Sequence, residues 1–251
     1  QYNDFLNCGS YISFGGTFPI STGMNILLNT FNVSSLASAF INNSNVTDSF
    51  RLNIVNNNFK FEENIYTSSE LTLEQKFTIE SKMYHKGRSS RNGIVYYSAN
   101  EQCVISGQTT IDAALSYASS TGETIHIGPG TYKNNIVINK PVTLLGQGTS
   151  TILEPLANDV PTVQITDGAS GTTIKNLMVK GTYATQTTSG SGDSSNNKSA
   201  IYILNTNTVD NLPINDLLLE NLVIQQASNG IAFNNKHSTN VSIKSCTIKQ
   251  N

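Results

Sequence analysis

Three ten-residue segments, TTIKNLMVKG at 172–181, LLLENLVIQQ at 217–226 and VSIKSCTIKQ at 241–250, share one pattern: apolar, polar, Asn or Ser, apolar, any, apolar. A repeat this short cannot bury its apolar face alone and has to stack on its neighbours, so it restricts the fold more than composition does. Each segment reads as a corner between two strands. Leu177, Leu222 and Cys246 fall in one inward column, and Asn176, Asn221 and Ser245 take the corner. Upstream of each, Val163 with Ile165, Ile201 with Ile203, and Ile231 with Phe233 alternate with polar neighbours, as strands with one buried face should. The last two repeats lie 24 residues apart, near a normal solenoid period, and the first two 45 apart. The excess is assigned to a loop at 181–199, GTYATQTTSGSGDSSNNKS, which has almost no apolar residue. It reads as a solvated insertion; the competing reading is a loop for a ligand or partner, since extended loops are where such scaffolds bind. Here composition bears on the argument: the chain holds 32 Asn without a matching excess of Lys, and Asn tolerates the left-handed backbone of tight corners.

The start of this region is a helix signal. Ile111, Ala114, Leu115 and Ala118 recur at helical spacing, so 110–121 reads as an amphipathic helix with one apolar stripe, stopped by Gly122 and laid over the first strands as a cap. Strand signals follow at Ile125 with Ile127, Ile136 with Ile138, Val142 with Leu144, and Ile152 with Leu153, which predicts about four or five coils. The segments T-I-D-A-A-L, G-E-T-I-H-I-G-P-G-T-Y and I-V-I-N-K-P-V-T-L-L-G-Q-G resemble the opening of pectin-lyase-like right-handed parallel β-helix proteins. The resemblance implies an all-β fold with a β-helix over 108–251, but no single function: such helices serve polysaccharide lyases, pectin esterases and polygalacturonases, and also virus surface proteins and adhesins. No amphipathic segment follows the strand at 241–250. The expectation is either a longer polypeptide or a second subunit stacked on that end.

Residues 1–107 do not repeat in this way. Strand signals at 11–14, 50–55, 59–61, 76–80 and 93–97, with a weaker helix signal at 34–40, predict a mainly β attachment or assembly domain, a sandwich or an irregular sheet. Its boundary is placed near 101–108. Cys8 and Cys103 are a candidate disulfide, while Cys246 replaces Leu in the inward column and reads as a buried thiol. Five N-x-S/T sequons, at Asn32, Asn42, Asn45, Asn197 and Asn240, permit N-glycosylation in a secretory setting. No transmembrane run is present in the sequence, so direct membrane insertion is not expected.

A formal charge of −2 gives no footprint for nucleic acid or an anionic membrane. Arg51, Arg88 and Arg91 are the only arginines, and all precede the helix signal. The resembling lyases use Arg beside a uronate and an acidic Ca²⁺ cluster, and the resembling hydrolases use convergent acidic residues. Asp159, Asp167, Asp193, Asp210 and Asp216 are dispersed, so no catalytic residue, metal ligand or cofactor site is assigned. His126 reads as an outward surface residue and His237 as part of a turn. Gly128, Pro129 and Gly130 lack the following helix and Lys-Ser/Thr of a phosphate loop and read as a corner with Tyr132 beside it. Arg88 and Arg91, in the basic stretch MYHKGRSSRNG, are candidate contacts for a glycan or partner, against the plainer reading of a solvated hairpin. Tyr183 and Tyr202 are the outward aromatic candidates for a glycan surface.

Two readings of function follow. The first is a non-catalytic structural protein, extracellular or on a cell or virion surface, that uses the β-helix as a rigid spacer and binds other protein subunits, with a glycan as a further contact. The alternative is a polysaccharide-active enzyme whose active coils lie beyond residue 251. Acidic side chains converging in a groove would favour the enzyme, and an end coil in contact with other chains would favour the structural protein.

Overall fold

The computed structural model describes residues 4–5, 10–13, 24–33, 39–42, 50–84, 87–88, 91–182, 198–205, 214–234 and 238–249. The chain divides into two compact units, Gln1–Tyr117 and Ala118–Asn251. Among the described residues the fold is mostly β, its sheets are mainly parallel, and two short helices accompany them.

In the N-terminal unit the strands come round in threes. β1 (Asp4–Phe5), β2 (Ser10–Ser13) and β3 (Met24–Asn25) each begin a different sheet, and β4 (Thr30–Asn32), β5 (Ala39–Asn42) and β6 (Phe50–Asn53) pair with them in the same order, all parallel. β7 (Asn58–Phe61) then adds to β4, followed by its antiparallel partner β8 (Asn64–Thr67) and helix α1 (Leu73–Ser81). β9 (Met83–Tyr84) adds to β5, and β11 (Arg91–Tyr96), preceded by its hairpin partner β10 (Gly87–Arg88), adds to β6. β12 (Glu101–Val104) and α2 (Ile111–Tyr117) complete the unit. The described part of 1–107 is mainly β, as expected, and its strands form small, mainly parallel sheets. A period of nearly thirty residues, interrupted by α1 and the hairpin, is too irregular to show as a sequence repeat.

Residues one cycle apart stack. Phe31 lies in register with Phe59, their rings 6.1 Å apart, inside a core that includes Leu52, Ile79 and Met83. At the corner before these strands, Leu28 and Asn56 both adopt the left-handed region, with φ of 61° and 58°. The next residues, Asn29 and Asn57, are buried and bonded to each other: the Asn29 backbone N–H donates to Asn57 Oδ1 at 2.9 Å, and Asn57 Nδ2 donates to the Ile26 carbonyl at 2.8 Å. Asn57 Nδ2 also donates to the carbonyls of Ile54 and Val55.

The strand expected at 76–80 is part of α1. Thr72 and Gln75 form a capping box there: the Thr72 Oγ1 accepts from the Gln75 N–H and the Gln75 side chain accepts from the Thr72 N–H. The helix expected at 34–40 lies outside the described residues except for Ala39 and Phe40, which open β5. Helix α2 ends at Tyr117 rather than at 121, its apolar residues Ile111, Ala114 and Leu115 are buried, and it packs on β11 and β12 within the N-terminal unit.

In the C-terminal unit the chain alternates between two parallel sheets. One holds β13 (Glu123–Ile127), β14 (Gly130–Lys133), β16 (Val142–Glu154), β18 (Thr173–Lys180), β20 (Leu218–Gln225), β22 (Ser242–Lys244) and β23 (Thr247–Ile248). The other holds β15 (Ile136–Ile138), β17 (Val163–Ile165), β19 (Ser199–Leu204) and β21 (Asn229–Asn234). Every second residue of β15 and β17 is buried, as a strand with one inner face demands. Corresponding residues stay in register: Ile174 with Leu219 and Ile243, and Ile138 with Ile165, Ile203 and Phe233.

Each repeat bends twice through the left-handed region. Gly171, Asp216 and Asn240 have φ of 83°, 57° and 56°, and five positions on, Asn176, Asn221 and Ser245 have 56°, 52° and 52°. Only Gly, Asn, Asp and a few small polar residues take this conformation at low cost, which accounts for the polar corner inside an apolar pattern. Side chains bridge consecutive corners: Asn221 Nδ2 donates to Asn176 Oδ1 at 3.2 Å, and Asn240 Nδ2 to Asp216 Oδ1 at 2.9 Å. In the preceding repeat the equivalent residue is Gly146, where a Cβ would come within 2.5 Å of the Asn176 carbonyl.

Candidate interaction surface

The inner columns of the C-terminal unit end differently from how they run. Ile174 and Leu219 are fully buried while Ile243, next in the column, is 45% exposed; Val179 and Ile224 are fully buried while Ile248 is 55% exposed. In the second sheet Ile138, Ile165 and Ile203 are buried and Phe233 is 48% exposed. Side-chain positions that form the core in the earlier repeats are thus half exposed at Phe233, Ile243 and Ile248. β22 and β23 pair with β20 on one side, and β21 with β19. Their other edges carry backbone groups that no described strand pairs. Between the two edges lies a shallow groove bordered by Ile224, Gln225, Gly230, Ile248 and Lys249. Gly230 keeps it open, since a Cβ there would meet the Ile248 side chain at 2.7 Å. Cys246 is half-buried in this repeat, and its thiol donates to the Leu219 carbonyl at 3.5 Å.

The residues singled out from the sequence do not gather at one place. Tyr202, expected to face outward, is buried, and its hydroxyl accepts from Asn234 Nδ2 at 3.1 Å. His126 is buried too, although it stands in the outward-alternating position of β13, in register with Leu145. Arg88 and Arg91 are backbone partners in the antiparallel β10–β11 pair. Tyr183, Asn45, Asn197, His85, His237, Cys8 and most of the 181–199 segment lie outside the described residues. Among the sequons, Asn32 is half-buried in β4, Asn42 ends β5, and Asn240 is exposed with its amide nitrogen engaged by Asp216. Tyr132 closes the corner expected for it, its hydroxyl donating to the Gly128 carbonyl at 3.0 Å.

Cys103 sits in the N-terminal core, and the Tyr97 hydroxyl donates to its sulfur. Burial first, then the neighbouring Cys103, hold the Tyr97 phenol well above its ordinary value, so it stays protonated. Among the described residues, Lys60 pairs with Glu63 at 3.5 Å, Lys76 with Glu101, Lys180 with Glu154 at 2.8 Å, and Lys198 with Asp159 at 3.1 Å. Among the described residues no group of three His, Cys, Asp or Glu gathers as a metal site would require, and no helix is long and apolar enough to cross a membrane. Comparison with family models, with curated proteins and with solved structures finds no match.

Proposed function

We propose that this chain is a structural module whose repeats are the coils of a right-handed parallel β-helix of the pectin-lyase-like kind, used as a rigid spacer in an extracellular, cell-surface or virion-surface assembly. The observation that carries the reading is the in-register parallel pairing of successive repeats, with Ile174 beside Leu219 and Ile138 beside Ile165 and Ile203. Corner ladders of Asn and Asp and in-register pairing support stiffness, because each repeat is tied to the next by both backbone and side chains. The cyclic order of the three parallel sheets in the N-terminal unit supports extending the same reading to that unit.

The test is imaging and native mass measurement of the protein from its source, with an assay on polygalacturonan run alongside. An ordered assembly is the expected result. A monodisperse protein that cleaves the polysaccharide with saturation kinetics would overturn the reading in favour of an enzyme.

A further inference from the structure

Helix α1 packs on β9 and β12 and buries Lys76, Ile79 and Glu80. Lys76 is 8% exposed, and its Nζ donates to Oε2 of Glu101, a partly buried residue of β12. The same carboxylate oxygen accepts from the Ser98 hydroxyl at 2.8 Å, and Ser98, joined to Glu101 by an antiparallel bridge, is buried too. Both ends of the pair are held in place. The capping box of Thr72 and Gln75 starts the helix one turn before Lys76, and Gln102, next to Glu101, is buried with its Nε2 donating to the Tyr96 hydroxyl at 2.9 Å. Burying a charge is costly and an ion pair in such a place adds little net stability, whereas a neutral amide is far cheaper to bury.

We propose that Lys76 and Glu101 become joined by an isopeptide bond that the folded chain forms by itself, cross-linking α1 to β12. An amine held against a carboxyl group in one orientation reacts as though at very high concentration, so an amide can form in a fold without the activating group it needs in solution. Nζ passes one proton to Oε2 along the hydrogen bond that joins them, and the neutral amine then attacks Cδ of Glu101. A second Nζ proton follows to Oε2, the Cδ–Oε2 bond breaks and one water leaves. The Ser98 hydroxyl, which donates to Oε2, steadies that oxygen as it departs. One ammonium and one carboxylate thus give one amide and one water, with no oxidant, cofactor or co-reactant. The bond links residues 25 apart in sequence and encloses β9, β10 and β11, so tension along the chain passes through it and leaves those strands unstretched. Its chemistry does not depend on the spacer reading, and its absence would leave that reading intact.

The test is the mass of the folded, purified protein, measured whole under denaturing conditions and again after trypsin digestion. The expected result is a mass below that of the sequence by one water, no cleavage after Lys76, and a branched species in which peptide 61–82 is joined to peptide 92–133. K76R keeps the positive charge but carries a guanidinium, which does not condense with a carboxylate, so it should show the full mass together with a folded circular-dichroism spectrum. Wild-type protein of full sequence mass that is cut after Lys76 would overturn the proposal, and that measurement needs no variant to fold. Loss of a water with cleavage after Lys76 undisturbed, or the same loss from K76R, would place the dehydration at another residue and overturn it equally.

Discussion

Asn57 is the side chain whose loss the N-terminal unit should feel most. It is 1% exposed, its Oδ1 accepts from the Asn29 N–H, and its Nδ2 donates to the Ile26 and Ile54 carbonyls. Asn57→Ala leaves at least the Asn29 N–H and the Ile26 carbonyl without these partners. At about 1–3 kcal/mol for each orphaned buried group, the loss is about 4 kcal/mol, or about 8–16 °C in Tm for a chain of this size. Asn57→Asp keeps the shape and the acceptor but turns the donor into an oxygen that faces carbonyls. Only the protonated acid can donate there, so its folded-state pKa is raised above the unfolded value of about 3.9. The sign follows: below that value both states hold the proton and the variant stays near wild type, and its stability falls as pH rises, by about 1.4 kcal/mol per pH unit until the folded group ionises. Urea unfolding followed by far-ultraviolet circular dichroism at pH 4 and pH 7, each against wild type, reads both effects. Asn57→Ala within about 1 kcal/mol of wild type, or Asn57→Asp equally destabilised at both pH values, would refute this account of the buried amide.

Leu28 holds φ of 61° with its side chain 54% exposed, so Leu28→Asn should relieve left-handed strain and raise stability by about 1 kcal/mol in thermal unfolding; a lower Tm would count against strain at that corner. Gly146→Ala forces a Cβ onto the Asn176 carbonyl and the Leu177 Cβ, 2.5 and 2.6 Å away, and should cost about 1–3 kcal/mol in denaturant unfolding, with no effect expected only if those atoms are not in contact. Tyr97 keeps its proton in the folded state beyond the unfolded value of about 10, so wild-type stability should fall as pH rises above 10, and Tyr97→Phe should flatten that fall in pH-dependent unfolding curves.

The repeat pattern at 172–181, 217–226 and 241–250 was legible because each part of it is local. Alternation decides which residues face inward, and Leu177 does pair with Leu222, with Asn176 and Asn221 in the left-handed corner. The capping box at Thr72 and Gln75 was also in plain view, and reading it would have replaced the strand expected at 76–80 by a helix. Tyr202 and His126 could not be judged in the same way. Both occupy outward-alternating positions, and their burial depends on what other segments lay against that face.

The sequence by itself determined the strand faces, the polar corners and the helix caps, because these depend on the sterics of a few adjacent residues. Tertiary structure alone decided that β1, β4 and β7, β2, β5 and β9, and β3, β6 and β11 pair in parallel in three sheets, and that Ile174, Leu219 and Ile243 share one column. A strand's own side chains state which face is inward, but not which distant strand lies beside it. That choice depends on register across segments of unequal length, where a shift of one residue would exchange the inner face for the outer.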